Sequence, residues 1–162
     1  MPSARCPMND LSEIIAADSV EGAMQAANKK ALFQLLAAAA AKRTGLSAKT
    51  IAVALSDREK IGSTGFGGGV AIPHGKIEGL EKVFGFFARL SSPLDYQAVD
   101  GMPVDLVILL LSPPDAGADH LKALAGVSRM FRDRQILAKL RGARSKDAIY
   151  ALLAGVEARN AA

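Results

Sequence analysis

Residues 104–111 read VDLVILLL, and this stretch decides the fold class of the chain. All of its side chains except that of Asp105 are aliphatic. A strand that is buried on both of its faces carries a near-continuous run of Val, Ile and Leu. The stretch therefore predicts a central strand in a sheet that helices cover on both sides.

The rest of the chain alternates between helix and strand patterns around this strand. Asn28 and Ser47 are good N-cap residues, and Gly45 and Gly62 follow the helical segments that these residues open. The patterns predict helices at 10–16, 29–43, 48–61, 116–132, 134–140 and 145–154, and strands at 23–25, 70–72, 83–90, 96–99 and 104–111. We therefore expect an α/β fold, a single-domain sandwich with helices flanking a mixed sheet of about four to five strands.

The length and composition indicate one globular domain. The chain has 162 residues, of which 50% are hydrophobic and 22% are charged. These values exclude disordered and fibrous classes, and a chain of this length buries roughly 70% of its unfolded surface. Because the sequence has no repeat, linker or composition break, we expect one domain at 10–156 between flexible termini at 1–9 and 157–162.

The N-terminal sequence bears on the compartment. Cys6 lies in a polar start, MPSARCPMND, without an apolar segment that a secretory signal or a lipoprotein anchor would need. The longest strongly apolar run, 106–111, is far shorter than the roughly 20 residues that span a bilayer. We therefore expect a cytoplasmic protein without membrane insertion, in which Cys6 is a frayed terminal thiol.

The positive charge is concentrated late in the chain. Net charge is +4, and the segment 122–146 contains eight Lys and Arg residues opposed only by Asp133. Such a face suits nucleic acid, an acidic protein or a phosphorylated partner. Since the segment has no series of interleaved aromatic residues for base stacking, a solvated helical surface is favoured and no nucleic-acid partner is expected.

Residues 65–76, GFGGGVAIPHGK, place glycines ahead of a lysine and suggest phosphate binding. Two known phosphate motifs do not fit. A Walker loop needs Ser or Thr after the lysine, where Ile77 stands, and a dinucleotide fingerprint needs glycine where Val70 stands. The sequence also has no Cys/His cluster with zinc spacing, so no metal site is predicted.

A glycine-rich loop at 62–69 remains as the candidate anion site. Its glycines permit positive φ, so that backbone N–H groups can point into one concavity. Ser63 and Thr64 add hydroxyl donors beside the amide of Gly65. We interpret these three residues, together with Gly75, as phosphate-binding.

His74 follows the predicted strand 70–72 and is the candidate reactive group. Pro73 fixes the backbone before it, and Gly75 removes a side chain that could block approach. A neutral imidazole can be a general base, a metal ligand or a phosphoryl acceptor, and composition does not choose among them. The alternative is a buried histidine satisfied by backbone groups.

Two further residues are candidates for the same site. Arg58 extends the apolar stripe of Ile51 and Leu55 at the end of a predicted helix, where it either reaches a site or snorkels to solvent. His120 falls in the first turn of the helix after Pro114, where the positive end of the helix dipole depresses its basicity. The alternative for His120 is plain packing on the sheet.

Residues 57–76, DREKIGSTGFGGGVAIPHGK, resemble the active-site signature of the enzyme IIA components of the bacterial phosphoenolpyruvate-dependent phosphotransferase system (PTS). The match is to the mannitol/fructose class (EIIA type 2) and, within it, to the nitrogen-regulatory branch (IIA-Ntr). Further similarities are SPL at 92–94, PVDL at 103–106 and DHL at 119–121, so the resemblance covers about 11–153.

The resemblance implies a role for each candidate residue. His74 would accept a phosphoryl group from a small histidine phosphocarrier, HPr or its nitrogen-branch paralogue. Arg58 and His120 would assist the phosphoryl group, and Ser63, Thr64 and loop amides would complete the cradle. Neither a cofactor nor a metal is implied. The implied targets are regulatory partners such as potassium-transport proteins or sensor kinases.

Four functions stay open on the sequence alone. The leading one is a nitrogen-regulatory phosphocarrier, favoured by Lys76 after the PHG element and by the lack of a fused sugar-specific or membrane domain. The runner-up is a free-standing sugar-type (fructose/mannitol) EIIA that passes phosphate to a IIB domain. The others are a non-covalent phosphate or nucleotide sensor, and a hydrolase in which His74 and His120 act as base and acid.

Overall fold

The computed structural model of the protein describes residues 11–155. The predictions for Cys6 and for flexible termini at 1–9 and 157–162 lie outside the described residues.

One six-stranded mixed sheet forms the centre of the fold, so the predicted sheet type is confirmed and the strand number is slightly higher than expected. The strands are β1 Val20–Met24, β2 Gly65–Gly67, β3 Val70–Ala71, β4 His74–Lys76, β5 Phe84–Leu94 and β6 Val104–Ser112. They are ordered β1-β5-β6-β3-β2, with β4 also paired to β6. The central β6 is antiparallel to β5 and parallel to β3 and β4.

Helices cover both faces of this sheet. They are α1 Lys29–Thr44, α2 Ala48–Ile61, α3 Ala118–Met130, α4 Arg134–Gly142 and α5 Lys146–Leu153. The side chains of β6 alternate between two apolar cores. Val107, Leu109 and Leu111 pack with α1 and α2 in one core. Leu106 and Ile108 pack with α3, α4 and α5 in the other. The prediction that 104–111 is buried on both faces is confirmed.

Caps fix the ends of the helices that lead to the site. The Asn28 side chain accepts from the Ala31 N–H at 2.8 Å, and the Ser47 hydroxyl accepts from the Thr50 N–H at 3.2 Å. Gly45 ends α1 with φ 77°, a left-handed conformation that costs glycine little. These contacts confirm the predicted boundaries of α1 and α2.

Two predicted elements are wrong. In the described part of the predicted helix at 10–16 the chain forms a turn, whose Leu11 N–H donates to the Leu153 carbonyl oxygen at 2.8 Å. The predicted strand at 96–99 is a loop, because the backbone of Gln97 has φ 59° and leaves the extended region. The apolar residues of this segment have a different role, since Tyr96 is fully buried in the core.

Gly65 is required by close packing at the start of β2. A Cβ atom at this position would lie 2.6 Å from Cα of Ala98, which is backbone and does not move easily. We expect Gly65→Ala to lower the free energy of unfolding by about 1–3 kcal/mol, as overpacking does elsewhere. Gly62→Ala is the matched control, with no heavy atom within 4 Å and an expected change within about 0.5 kcal/mol. Equal urea midpoints for the two variants would contradict this account.

Candidate functional site

His74 begins strand β4, next to the end of β6. It pairs in parallel with Leu110, and the Leu110 N–H donates to the Pro73 carbonyl oxygen at 3.0 Å. The sequence predicted a strand before His74 but not the short strand that contains it. Because every residue of β6 except Asp105 is buried and the strand is paired on both sides, this pairing fixes the backbone position of the half-buried His74.

The hydrogen bonds of the His74 ring determine its tautomer. Nδ1 lies 2.8 Å from the Ile72 carbonyl oxygen, which can only accept, so Nδ1 carries the hydrogen. Nε2 therefore has the lone pair, and it accepts from the Nε–H of Arg58 at 3.3 Å. The unprotonated nitrogen of the ring therefore faces the guanidinium of Arg58.

Arg58 is in the last turn of α2, where a second hydrogen bond orients its side chain. Its Nη1–H donates to the Gly62 carbonyl oxygen at 2.9 Å, just past the end of the helix. The guanidinium is therefore held between its own helix terminus and the His74 ring. The sequence left open whether Arg58 reaches a site or snorkels to solvent, and the structure places it against His74.

His120 lies beside His74 on the other side of the site. It is the third residue of α3, and the two imidazole centroids are 5.7 Å apart at an interplanar angle of 51°. The residue is 9% exposed, and its Nδ1 lies 2.6 Å from the hydroxyl oxygen of Ser112. Sequence reasoning missed Ser112, which ends the apolar β6.

Burial favours the neutral form of both imidazoles. Desolvation lowers the pKa of His74, and the positive charge of Arg58 acts in the same direction, against the hydrogen bond to Ile72. Desolvation also lowers the pKa of His120, helped by His74 and Lys76. A neutral His74 with an unprotonated Nε2 is the nucleophilic form of the residue.

Thr64, predicted to bind phosphate, has its donors engaged elsewhere in this structure. Its hydroxyl donates to Glu59 Oε1 at 2.5 Å and its N–H donates to Oε2 at 3.0 Å. The Thr64 oxygen in turn accepts from the Tyr96 hydroxyl at 2.7 Å, since its own hydrogen points to Glu59. Both donors hold the start of the loop in place, so in this conformation they are not available to an anion.

The remaining predicted phosphate-binding residues have structural contacts as well. The Gly65 N–H donates to the Ser63 hydroxyl oxygen at 3.1 Å. Gly75 packs against α2, where a Cβ atom would lie 3.4 Å from that of Ala54. The close approach of β4 to α2 brings His74 toward Arg58. A phosphate-binding role for Ser63, Gly65 and Gly75 stays a prediction.

Glu59 is the centre of a network that sequence reasoning did not find. Its carboxylate accepts from Lys29 Nζ at 2.9 Å as well as from Thr64. Burial by itself raises the pKa of Glu59, but the hydrogen bonds from Thr64 and Lys29 outweigh it and the pKa is lowered. Glu59 therefore ties α1, the end of α2 and the loop before β2 together next to Arg58.

The tip of the glycine-rich segment is held by side chains from two other parts of the chain. The Gly68 N–H donates to Asp100 Oδ2 at 3.0 Å, and the Gly68 carbonyl oxygen accepts from Arg141 Nη2 at 2.8 Å. Arg141 also makes a bidentate pair with Asp105, with both N···O distances 2.8 Å. All eight basic residues of 122–146 are exposed. Among them, Arg141 also holds this tip through its hydrogen bond to Gly68.

Residues 11–155 contain neither a cluster of metal-ligating side chains nor a helix that could span a membrane. These residues contain no group of three or more His, Cys, Asp or Glu side chains that could hold a metal ion. Within the same range, every helix is too short or too polar to span a bilayer.

Comparison with known proteins identifies the family. A family model described as "Phosphoenolpyruvate-dependent sugar phosphotransferase system, EIIA 2" matches residues 13–156. The chain belongs to this family. A relative of this EIIA chain from Bradyrhizobium diazoefficiens, called nitrogen regulatory protein, is 50% identical over 144 residues, covering 89% of this chain and 94% of the relative.

Solved structures share the fold of this EIIA chain. The crystal structure of nitrogen regulatory protein IIA-Ntr from Neisseria meningitidis matches with a TM-score of 0.84 at 34% identity, covering 88% of this chain and 98% of that one. The enzyme IIA of mannitol from Escherichia coli, solved in complex with phosphorylated enzyme IIB, matches with a TM-score of 0.74, covering 88% and 99%. At 20% identity the second match shows the fold alone. The resemblance drawn from 57–76 is confirmed.

The Glu59 network is expected to stabilise the fold measurably. Glu59→Gln keeps the shape of the side chain but removes the charge that accepts from Lys29 and Thr64, leaving these donors with a weaker acceptor. We expect the free energy of unfolding in urea to fall by about 1–3 kcal/mol. Asp57→Asn, two positions before, is the matched control, because this side chain is 65% exposed against 8% for Glu59. A loss as large in Asp57→Asn would contradict a special role for Glu59.

The two imidazoles make stability depend on pH in a defined direction. Because their pKa values are lowered on folding from the ordinary 6.5, the unfolded chain takes up these protons at higher pH than the folded protein. Stability is therefore full above about pH 7.5 and falls as pH drops through 6.5 toward the lower folded pKa values. Urea unfolding from pH 8 to pH 5 measures it, and His74→Gln/His120→Gln should flatten that part of the curve. An unchanged slope in the double variant would contradict this assignment.

Proposed function

We propose that this EIIA protein is a phosphohistidine carrier of the nitrogen-regulatory phosphotransferase system. His74 accepts a phosphoryl group on Nε2 from an HPr-like carrier, the nitrogen-branch paralogue. The observation that carries this proposal is the His74 ring itself. Its Nδ1–H donates a hydrogen bond to the Ile72 carbonyl oxygen, so that the Nε2 lone pair faces Arg58. His120 lies on the other side of the site.

The proposed step needs no proton transfer at His74. The Nε2 lone pair attacks phosphorus in line, a new N–P bond forms, and the N–P bond of the carrier phosphohistidine breaks with its electron pair returning to the carrier nitrogen. The Nδ1 hydrogen stays on the ring throughout, since it is already donated to the Ile72 carbonyl. The positive charge that develops on the His74 ring is thereby shared with a backbone dipole.

Arg58 and His120 then act on the charge of the transferred group. In-line transfer spreads negative charge over three equatorial oxygens, and hydrogen-bond donors close to these oxygens stabilise it. The Arg58 guanidinium, already in contact with Nε2, moves from the nitrogen to these oxygens as the phosphorus arrives. The chemistry therefore uses positioning and fixed charge.

The phosphoryl group supplies the regulatory signal. It adds about −1.5 to −2 charges to the surface around His74 and changes which proteins can dock there. The targets suggested by the family resemblance are potassium-transport proteins and sensor kinases. The proposed location is the bacterial cytoplasm, where the phosphocarrier chain operates.

The second candidate is a sugar-type EIIA role. The E. coli mannitol relative of similar fold is found in complex with phosphorylated enzyme IIB. A protein of this kind passes its phosphoryl group onward to IIB, whereas a purely regulatory one retains it until a carrier takes it back. Transfer to a IIB protein separates the two roles.

The test is a reconstituted phosphorylation assay. The protein is incubated with phosphoenolpyruvate, enzyme I and the HPr-like carrier, and its intact mass is measured. We expect one phosphoryl group that is lost in acid and retained in base, as a phosphohistidine behaves, and no transfer when fructose- or mannitol-type IIB is added. No uptake by the wild type would refute the carrier function, and rapid transfer to IIB would favour the sugar-type role.

A further inference from the structure

Ser112 contacts His120 from a fixed and fully buried position. Its hydroxyl oxygen lies 2.6 Å from Nδ1 of His120, and none of its surface is exposed. It is the last residue of β6 and pairs with Lys76 in β4, the strand that begins with His74. One strand pair therefore positions both the reactive ring and the residue that contacts its neighbour.

The direction of this hydrogen bond follows from burial. If Nδ1 of His120 donated, the hydroxyl hydrogen of Ser112 would need a different acceptor. Among residues 11–155 the hydroxyl has only the His120 partner, and its burial keeps bulk water away. A buried donor without an acceptor is costly and rare in native proteins. The Ser112 hydroxyl therefore donates and Nδ1 of His120 accepts.

We propose that Ser112 is a positioning residue that holds His120 in the Nε2–H tautomer. His120 then offers the phosphoryl group a hydrogen-bond donor instead of a lone pair. The effect of His120 on phosphoryl transfer rests on the proposed function of His74. The tautomer of His120 is a property of the unphosphorylated protein and does not depend on that function.

The two histidines thereby have opposite tautomers with complementary tasks. His74 carries its hydrogen on Nδ1 and reacts through Nε2, whereas His120 accepts at Nδ1 and donates at Nε2. A lone pair on His120 would repel the equatorial oxygens, while an N–H group stabilises them. His120 also lies in the first turn of α3, where the helix dipole favours an anion.

The tautomer matters because His120 is neutral in the working pH range. Burial lowers its pKa and the positive charge of Lys76 acts in the same direction, so that the ring carries one hydrogen rather than two. With a single hydrogen, the nitrogen that bears it decides between donor and acceptor. The carbonyl of Ile72 selects the Nδ1–H tautomer of His74, and the hydroxyl of Ser112 selects the Nε2–H tautomer of His120.

The direct test measures the ring nitrogens of unphosphorylated protein by long-range proton–nitrogen NMR near pH 7.5. We expect the His120 signals of the wild type to show a hydrogen on Nε2 and none on Nδ1. In Ser112→Ala the two nitrogen shifts should move toward each other as tautomers exchange, while the exposed Ser91→Ala leaves them unchanged. A hydrogen on Nδ1 in the wild type, or unmoved shifts in Ser112→Ala, overturns the proposal.

Kinetics provide a second readout through a double-mutant cycle. We expect Ser112→Ala to slow phosphoryl uptake by roughly tenfold, the lower end of what loss of an orienting hydrogen bond costs at metal-bound histidines. In a His120→Gln background the same change should cost nothing further, because the ring that Ser112 orients is gone. An equal loss in both backgrounds overturns the proposal. The NMR test does not need phosphoryl uptake, so a failure of the proposed carrier function can be told apart from a failure of the tautomer assignment.

Discussion

His74→Gln is expected to take up no phosphoryl group at all while remaining folded. Glutamine has no nitrogen lone pair that can form the N–P bond, so covalent catalysis is lost outright rather than slowed. The side chain is half-buried and its main anchor is one hydrogen bond to the Ile72 carbonyl, which the glutamine amide can also donate. Intact mass after incubation with phosphoenolpyruvate, enzyme I and the carrier provides the measurement.

His120→Gln is the matched control for this prediction. The two rings lie 5.7 Å apart in the same site, so a change that merely disturbed the site would affect both variants alike. If His120 only donates to the phosphoryl oxygens, its variant still takes up phosphate, at most about 10²-fold more slowly, because the glutamine amide can replace part of the lost oxyanion donor. Phosphate that persisted in His74→Gln and disappeared in His120→Gln would reverse the two roles.

Most of the fold was predictable because local signals and burial agree. The caps at Asn28 and Ser47 and the glycine after α1 defined two helices, and the apolar run of β6 required cover on both faces. Strand β4 was not predictable in this way. It has three residues that include a glycine, and it exists because its backbone pairs with the buried β6.

The candidate site could be predicted only in part, because its supporting residues have no local signal. Arg58 and His120 stood out as charged or polar residues at helix ends, and the structure brings both to His74. Glu59 resembles any surface carboxylate until tertiary packing buries it against Lys29. Ser112 resembles an ordinary residue at a strand end, and its role depends on how α3 packs against the end of β6.

Arg58→Ala is expected to slow phosphoryl uptake by about 10²-fold with little change in stability. The guanidinium touches the reactive Nε2 at 3.3 Å and is held by the Gly62 carbonyl, so its positive charge is in place before the phosphorus arrives. Removing it leaves the charge on the equatorial oxygens without the cation that contacts the His74 ring. Because the loss falls on the transition state, kcat and kcat/KM for the carrier should drop together.

Arg58→Lys and Lys60→Ala separate this role from plain surface charge. Lysine restores the charge but not the planar fork that bonds Nε2 and a carbonyl at once, so it should recover only part of the rate. Lys60 lies in the same helical turn and is 79% exposed, so its removal subtracts the same charge from the docking surface without touching His74. Its rate should stay within about twofold of the wild type, as screening of exposed charges implies. Equal losses in Arg58→Ala and Lys60→Ala would mean that Arg58 only attracts the carrier.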